Sequence, residues 1–590
     1  MVAIETDKLL RFILPVLITV LLVLQVGELS ADEVSRAVLT FYYPWYGVPD
    51  GPGGAGKSVH WGKIDAENKD IQASTNYPLL HAYDSHDPRL IDQHCRWARR
   101  AGIDGFIVSW WGHNDYSDRA MPTILDGCRR HKLRACIYYE TVPRPQTPQS
   151  AADDIVGVLD KYGQHPAHLK VDGKPVVFIY GRALQELGLA KWHEVIELVN
   201  NKYKAGVTAI GDQFSQGAAR VFDGVHTYNT AGSLRGLDPP AAQKWANESY
   251  RRWVELADQA GKISALTVIP GYDDTKIRKP GLKVERYGGE LYRVQWEEAI
   301  KADPHWVLIT SFNEWHEGSE IEPSFQYEEQ YIELTGKYAK QFKAKKRAAR
   351  QPSTSAKFSA EEKARLQEKL KTLHIAALPG AGSMGFWWLS DLGVGTKLLS
   401  WEEVAEGPKP RQYDMLLYAG DEGYRRSVRG DNDVDAALAD YLRAGGCMVF
   451  LPSNPCPFYY DENGKAVNRS GEFGLTLRAG WESPPGGAEL YFAQPKRYLP
   501  HVPEKFAFPA GGDLRWRAFI AGNEHAKHVS LLQLSASGDS GERYLGDGVA
   551  YAELKEGGRI LYAWFTLLNG PYAEALLYDI FNFVASRIQQ

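Results

Sequence analysis

The sequence contains little cysteine, little net charge and no phosphate-binding loop. Its 590 residues include 5 Cys, which cannot all pair, and their spacing is not that of metal ligands. A formal net charge of -5 gives no electrostatic reason to expect a nucleic acid or another polyanion as partner. Neither a glycine-rich phosphate loop nor a dinucleotide fingerprint occurs in the sequence, and no Cys/His cluster indicates zinc. We therefore expect no cofactor and no metal.

The few cysteines are expected to be structural. Cys95 lies in a helical pattern and Cys136 in an apolar strand, which predicts buried free thiols. Cys447 and Cys456 lie close together in the chain, and the sequence leaves open whether they form a disulfide.

The apolar run at the N-terminus is too short for a membrane span. Residues 12–24 follow Lys8 and Arg11 and lead to a small-residue exit at Ala31. This pattern predicts a signal peptide over residues 1–31, although Leu29 is bulkier than the residue favoured three positions before cleavage. We expect export to the periplasm or the medium and no other membrane contact. An uncleaved anchor is the alternative.

Aromatic residues, in contrast, are abundant, at 12% of the chain with 17 Trp and 32 Tyr. The contents of hydrophobic residues, 44%, and of charged residues, 24%, are typical of globular proteins. A chain of 590 residues is too long for one ordinary core, so two or three domains are expected.

The first part of the chain alternates short apolar runs with helical patterns, which is the signature of an α/β fold closed as a (β/α)8 TIM barrel. Strands are predicted over residues 38–43, 105–110, 134–139, 175–180, 207–212, 224–228, 264–269 and 306–311. Helices are predicted over residues 88–101, 121–131, 151–162, 192–203, 241–260 and 292–302. The connection at 213–223 is short for a full helix.

A basic helix end followed by a Pro/Ser segment marks a domain boundary. We predict the barrel over residues 32–345, a linker over 346–372 and a smaller accessory α/β domain over 373–590. In that domain, strands are predicted over residues 374–378, 415–418, 448–451 and 560–565, and helices over 434–444 and 573–588.

The segment 437–452 resembles class I glutamine-amidotransferase-like domains. An active domain of that kind would carry its nucleophilic cysteine on a sharp Gly-x-Cys-x-Gly turn after a strand. Cys447 precedes its predicted strand and Cys456 lies between two prolines, so we predict a non-catalytic domain.

The ends of the predicted barrel strands are rich in groups that bind sugars. In such barrels the active site lies at the C-terminal ends of the strands. Aromatic rings stack on sugars, and carboxylates and amides bond to sugar hydroxyls. The strand ends carry Tyr43-Pro44-Trp45-Tyr46, Trp110-Trp111-Gly112-His113, Tyr139-Glu140, Tyr180-Gly181-Arg182, Asp212-Gln213, Tyr228-Asn229, Pro270-Gly271-Tyr272 and Asn313-Glu314.

Two carboxylates follow the last predicted strand at a spacing of three residues. If the chain turns helically after that strand, Glu314 and Glu317 face the same side. Two nearby carboxyl groups flanked by tryptophan are what glycoside hydrolysis requires, one group to manage a proton and one to assist displacement at the sugar carbon. A solvated charged loop is the alternative interpretation of this spacing by itself.

Several motifs occur in a fixed order between residues 38 and 340. They are Phe41-Tyr42-Tyr43-Pro44-Trp45-Tyr46-Gly47, His60-Trp61, Tyr83-Asp84-Ser85-His86-Asp87-Pro88, Ile107-Val108-Ser109-Trp110-Trp111, Pro270-Gly271-Tyr272-Asp273-Asp274-Thr275 with Arg278, and Ser311-Phe312-Asn313-Glu314-Trp315-His316-Glu317-Gly318. Together they resemble glycoside hydrolase family 99, the endo-α-mannosidase and endo-α-mannanase family. The last motif is the most specific of the set.

The resemblance implies a (β/α)8 barrel that cleaves inside α-mannosidic chains, or a related α-linked polysaccharide, with retention of anomeric configuration. It implies participation of the substrate 2-hydroxyl, with Glu314 as the base for that hydroxyl and Glu317 as the acid and base at the glycosidic oxygen. The expected sugar contacts are Tyr43, Trp45, Tyr46, His60, Trp61, Trp110, Trp111, Tyr228, Tyr272, Arg278 and Asn313. His316 is expected to have a structural role, because its i+2 position points away from the two glutamates.

Two other classes of function remain open. One is a glycosyltransferase-like barrel, although the signal sequence argues against it because sugar-nucleotide donors are cytosolic. The other is an inactive carbohydrate-binding barrel, although both glutamates are retained. We expect a polysaccharide or glycan as substrate and no nucleic acid as partner, and the sequence does not indicate an oligomeric state.

Overall fold

The structure is a computed structural model. It describes residues 34–348, 358–379, 384–418, 434–451, 458–460, 466–473, 476–477, 489–508, 518–519, 526–538, 541–568, 570 and 572–589. The predicted signal peptide and Cys456 lie outside these residues. Within them, no helix is both long and apolar enough to cross a bilayer.

Eight parallel strands close into a barrel, as predicted. They are β1 Ala37–Tyr42, β2 Gly105–Trp110, β3 Arg134–Tyr139, β4 Lys174–Ile179, β5 Thr208–Gly211, β6 Gly224–His226, β7 Ile263–Val268 and β8 Trp306–Ile309. Each strand pairs in parallel with its neighbours in chain order, and β1 pairs with β8, which closes the ring. The (β/α)8 TIM-barrel prediction is therefore confirmed.

Helices cover the outside of the barrel. They are α1 Pro88–Arg100, α2 Tyr116–Arg130, α3 Pro148–Tyr162, α4 Gly181–Leu187, α5 Leu189–Lys202, α6 Gln216–Val221, α7 Ala231–Leu234, α8 Pro239–Gln259, α9 Glu290–Ala302 and α10 Gln330–Ala344. Local sequence explains where α1 begins, because Asp87 accepts a bond from the Arg89 N–H and Pro88 takes the first helical position. The short connection between β5 and β6 holds the six-residue helix α6.

Alternate residues of each strand face two separate apolar cores. On β1, Leu39 and Phe41 fill the barrel interior, whereas Val38 and Tyr42 pack under the helices. The same alternation places Tyr138 inside and directs Trp110 outward. Which aromatic residues can line the barrel mouth is therefore set by strand register.

The second domain contains one mixed sheet. Its strands are β9 Ile375–Ala377, β10 Thr396–Leu398, β11 Met415–Tyr418, β12 Cys447–Phe450, β13 Glu489–Ala493, β14 Lys505–Ala507, β15 Ala526–Gly538, β16 Gly541–Leu554 and β17 Arg559–Ala563. The order is β10-β9-β11-β12-β17-β16-β15-β13-β14, parallel up to β17 and antiparallel after it. Four of the five parallel strands match predicted ones, whereas the parallel strand β10 and the antiparallel strands were not predicted.

The helices of this domain are α11 Ala360–Lys371, α12 Met384–Asp391, α13 Trp401–Ala405, α14 Val434–Arg443, α15 Phe565–Leu568 and α16 Ala573–Ile588. Helix α11 lies inside the predicted linker 346–372, and its Leu366 and Leu370 are buried in the second core. That segment therefore packs as part of the domain over residues 360–371, because two leucines one turn apart give its charged helix an apolar side.

Short elements complete the description. They are the strands Ile64–Asp65, Asp70–Ile71, Lys170–Val171, Tyr272–Asp273, Lys283–Val284, Phe458–Tyr460 and Ala466–Asn468, and the 3-10 turns Tyr287–Gly289, Trp315–Glu317 and Ser470–Phe473.

Candidate active site

The two predicted catalytic glutamates lie on a tight turn at the C-terminal mouth of the barrel. After β8, the chain forms the 3-10 turn Trp315–Glu317, with Glu314 at its N-cap. The Glu314 carboxylate accepts a bond of 3.1 Å from the His316 N–H, and the Glu314 N–H donates to Ser311 Oγ at 2.7 Å. The helical turn expected from the spacing is thus a single 3-10 turn.

Both carboxyl groups are strongly desolvated. The Glu314 side chain is 3% exposed and that of Glu317 15%. Burial raises the pKa of Glu314 well above its ordinary value, and the neighbouring charge of Glu317 raises it further. Burial also raises the pKa of Glu317, but Arg278, Tyr272 and Tyr228 oppose this by stabilising its anion. Burial therefore favours the protonated form of both carboxyls, and the pKa of Glu314 is raised further than that of Glu317.

Arg278 is the cationic side chain that bonds to Glu317. Its Nη1 donates to Glu317 Oε1 at 3.2 Å, to Asp274 Oδ2 at 2.6 Å and to the Tyr272 hydroxyl at 2.8 Å. The Tyr228 hydroxyl donates to Glu317 Oε2 at 3.3 Å. Arg278, Tyr272 and Tyr228, three of the predicted sugar contacts, are thus brought together around Glu317. Arg278 and Tyr228 bond to the two oxygens of its carboxylate.

Tyr43 and Tyr228 form the floor of the site. Their rings lie 6.5 Å apart, and Phe41 packs against Tyr228 from the barrel interior at 4.9 Å. Burial is the main reason why the pKa of each of the two tyrosines is raised well above its ordinary value, and the nearby glutamates add to the effect. Both hydroxyls therefore stay protonated and available as donors.

A stack of three rings forms one wall. The rings of Trp45 and His60 are nearly parallel, with centroids 4.6 Å apart, and His316 stacks on His60 at 5.3 Å. Burial and the neighbouring His316 lower the pKa of His60 to about 4, so the imidazole is neutral. His316 belongs to this group of rings, and its Nδ1 lies 4.0 Å from Glu314 Oε1, so its ring does not point away from the glutamates as its i+2 position predicted.

Four other predicted sugar contacts are buried in packing and are not brought to the cleft surface. Asn313 holds the β1 end, because its Oδ1 accepts from the Tyr43 N–H at 2.8 Å. The Tyr46 hydroxyl accepts from the Trp315 N–H at 3.0 Å, and Tyr46 stacks on Trp61 at 4.1 Å. Trp110 points toward the helices, where its Nε1 donates to Asp118 at 2.9 Å.

Next to Trp45, whose ring lies 6.0 Å from that of Trp111, the site contains this predicted sugar contact and two groups that were not predicted as contacts, Glu140 and Arg182. Trp111 is 36% exposed, and the Arg182 guanidinium lies 4.6 Å from its ring centroid. Arg182 bonds to Glu140 Oε2 at 3.0 Å, and Ser109 Oγ donates to Glu140 Oε1 at 2.7 Å. Burial raises the pKa of Glu140 to about 7 although Ser109 and Arg182 lower it. Glu140 and Arg182 both come just after predicted strands, and this position at the barrel mouth could have identified them as site residues from the sequence.

Asp212, which directly follows β5, was likewise not among the predicted sugar contacts. Its carboxylate accepts from the Tyr228 N–H at 2.9 Å and from the Gly181 N–H at 3.0 Å. It thereby fixes the backbone of the tyrosine that bonds to Glu317.

The described cysteines and acidic residues do not suggest a metal centre. Cys95, Cys128, Cys136 and Cys447 are buried free thiols, and burial raises the pKa of Cys447 to about 12. Within the described ranges, no group of three or more His, Cys, Asp and Glu is arranged to hold a metal ion.

Comparisons with known proteins agree on the barrel half of the chain. The model of glycosyl hydrolase family 99 matches residues 33–342. Glycoprotein endo-alpha-1,2-mannosidase of Rattus norvegicus is 26% identical over 348 residues, covering 50% of this chain and 70% of that protein. Its counterpart in Mus musculus is 27% identical over 368 residues, covering 51% and 74%.

A solved structure, the GH99 endo-alpha-mannosidase from Bacteroides thetaiotaomicron, is 28% identical and covers 53% of this chain and 99% of its own, with a TM-score of 0.45. The family match spans more than half of the chain and contains both glutamates of the turn. The chain therefore belongs to glycosyl hydrolase family 99 and is a glycoside hydrolase.

Proposed function

We propose that the protein is a retaining, endo-acting hydrolase that cleaves internal α-mannosidic linkages, or related α-glycosidic ones, through participation of the substrate 2-hydroxyl. The observation that carries the proposal is the pair of Glu314, which is buried, and Glu317, which accepts a bond from Arg278, at the barrel mouth of a family 99 chain. The names of the relatives, endo-alpha-1,2-mannosidases, support mannose-containing glycans as the substrate class.

The proposed reaction has two steps. First, Glu314 removes the proton of the 2-hydroxyl, whose oxygen attacks C1 as the glycosidic bond breaks, and Glu317 gives its proton to the departing oxygen. A 1,2-anhydro sugar results. In the second step, Glu317 takes a proton from water, the water oxygen attacks C1, and Glu314 returns its proton to O2. Two inversions at C1 give net retention.

This scheme requires a protonated Glu317 and an ionised Glu314 at the start, whereas the surroundings raise the pKa of Glu314 further than that of Glu317. Substrate binding supplies the difference, because a hydroxyl that donates to Glu314 stabilises its anion and a glycosidic oxygen at Glu317 accepts from its protonated form. We therefore propose that the proton moves from Glu314 to Glu317 as substrate binds.

Incubation with linear α-mannan tests the reaction class. The expected result is release of oligosaccharides of several lengths, with the α-anomer as the first product by NMR. An analogue lacking the 2-hydroxyl on the sugar to be cleaved is expected to bind and stay intact. Cleavage of that analogue would show that a protein nucleophile acts instead. Tight binding without release from either substrate would favour the carbohydrate-binding alternative.

Two further proposals concern the second domain and the N-terminus. We propose that the second domain is a non-catalytic accessory module, and its Cys447 supports this because the thiol is buried and its pKa is raised. Its likeness to amidotransferase-like domains rests on the sequence, as does the proposed export.

A further inference from the structure

Two buried glutamates, Glu320 and Glu322, follow Glu317 in the chain and have no part in the proposed reaction. Glu320 is 1% exposed and Glu322 is 2% exposed. Each has a basic partner on another element, Arg286 for Glu320 at 2.8 Å and His94 for Glu322 at 3.1 Å. Both pairs therefore tie the loop that follows the 3-10 turn to other elements of the barrel.

Arg286 bonds to the backbone of the catalytic loop. Its Nη2 donates to the Gly318 carbonyl at 2.9 Å, to the Glu320 carbonyl at 3.0 Å and to Glu320 Oε1 at 2.8 Å. Gly318 directly follows Glu317 and ends the 3-10 turn in the left-handed region, with φ of 56°. Arg286 therefore holds the peptide unit between Gly318 and Ser319, one residue after Glu317.

Two tyrosine rings and Gly271 pack against the Arg286 side chain. Its guanidinium lies 4.4 Å from the Tyr327 ring centroid and 4.6 Å from that of Tyr331. A Cβ added at Gly271 would lie 2.4 Å from Arg286 Cγ, so the absence of a side chain there makes room for the arginine. A Cβ added at Gly318 would meet Thr75 at 2.9 Å. The arginine and the loop are therefore closely packed, with no room for a side chain at Gly271 or Gly318.

The other end of the turn is held by different groups. The Glu314 N–H donates to Ser311 Oγ at 2.7 Å, and the Trp315 N–H donates to the Tyr46 hydroxyl at 3.0 Å. Removal of the Arg286 contacts thus loosens the backbone after Glu317, whose carboxylate still bonds to Arg278 and Tyr228, and leaves the bonds of the Glu314 end in place.

A buried ion pair is not needed for stability alone, because apolar residues of similar size often stabilise a protein equally well. The bonds from Arg286 to backbone carbonyls give the pair a different use. We propose that Arg286, held by Glu320, is a positioning residue that fixes the Gly318 carbonyl and thereby directs the Glu317 carboxyl at the glycosidic oxygen. This inference rests on the proposed function, in which Glu317 is the proton donor.

The consequence is a loss of activity that depends on the leaving group. An aryl leaving group of low pKa departs without a proton, whereas a sugar alkoxide needs one from Glu317. For Arg286→Lys, we expect kcat/KM to fall about 10- to 100-fold with a sugar leaving group and to stay within about 3-fold with a dinitrophenyl group on the same α-mannosyl oligosaccharide. Gly271→Ala, which displaces the arginine while keeping its charge, should show the same dependence more weakly.

The matched control is Arg293→Lys. Arg293 also bonds to two carboxylates, those of Glu290 and Glu297 at 2.8 Å each, but it lies on the outside of α9. We expect wild-type rates with both substrates, and Tm measurements on all variants verify folding.

Equal losses with both leaving groups in Arg286→Lys, or no loss with either, would overturn the positioning role. If Arg286→Lys does not fold, Gly271→Ala decides, and an equal loss there has the same meaning. A wild-type chain that cleaves neither substrate would overturn the proposed function itself and this inference with it.

Discussion

Arg278 donates a hydrogen bond of 3.2 Å to Glu317, and the same guanidinium bonds to Asp274 at 2.6 Å. The contact stabilises the Glu317 anion and leaves Glu314 as the carboxyl whose pKa is raised further. Two glutamates three residues apart are thus made different by one arginine that follows another strand.

Replacement of Glu317 by glutamine should separate binding from catalysis. Glu317→Gln keeps the shape of the side chain and removes its proton, so we expect kcat with a sugar leaving group to fall about 10²- to 10⁴-fold while Kd changes little. Steady-state kinetics and calorimetry measure the two quantities. Glu314→Gln should lose activity with sugar and aryl leaving groups alike. Full activity of Glu317→Gln would contradict the assignment.

The pH profile should depend on Arg278. Activity requires one proton on the pair, so it falls as pH rises through the pKa at which that proton is lost. Arg278 lowers the pKa of Glu317, and Arg278→Gln should therefore move the alkaline limb of kcat/KM to higher pH. Arg278→Lys keeps the charge and should move it less. An alkaline limb that is unchanged or lower in Arg278→Gln would contradict this electrostatic picture.

Stability should decline between mildly acidic and neutral pH. Burial raises the pKa of Glu140 to about 7, above the value of 4.5 for an unperturbed glutamate. The folded state then binds more protons than the unfolded state in this window, so the free energy of unfolding is highest below pH 4.5 for this group and falls as pH rises through 7. The difference for Glu140 is at most about 3 kcal/mol.

Denaturant unfolding at a series of pH values measures this trend. Glu140→Gln should flatten the curve, because the amide does not ionise. Glu320 has a pKa raised to about 7 by burial as well, so a decline of similar sign should remain in that variant. A Glu140→Gln curve as steep as that of the wild type would rule out the titration of Glu140 as its cause.

The accessory domain should contribute stability and not chemistry. Trp387 on α12 is buried against the barrel, with its ring 4.8 Å from His193, and Asp391 pairs with Arg220. A barrel that ends at residue 348 should keep its kcat/KM and lose Tm because this face is exposed. In the full chain, Trp387→Ala should cost up to about 3–5 kcal/mol of unfolding free energy.

Leu398→Ala is the matched control for that substitution, because Leu398 is 39% exposed in the same domain. We expect no change in its Tm. A folded but inactive barrel would show that the second domain takes part in the reaction.

The parallel strands were predictable because strands buried on both faces are continuous apolar runs. The run Trp306–Ile309 is an example, and its position was predicted to within two residues. The antiparallel strand Ala526–Gly538 mixes Lys, His, Ser and Gln with apolar residues and pairs with Gly541–Leu554 through register shifts, so no simple period marks it.

The sequence by itself determined the barrel and the pair Glu314 and Glu317, because strand periodicity and a three-residue spacing are local properties of the chain. Only the tertiary structure decided which groups face that pair. Trp110 is directed outward by strand register, whereas Glu140 and Arg182 come together from different strand ends. Burial and charge depend on such distant neighbours, and they set the different pKa shifts of Glu314 and Glu317.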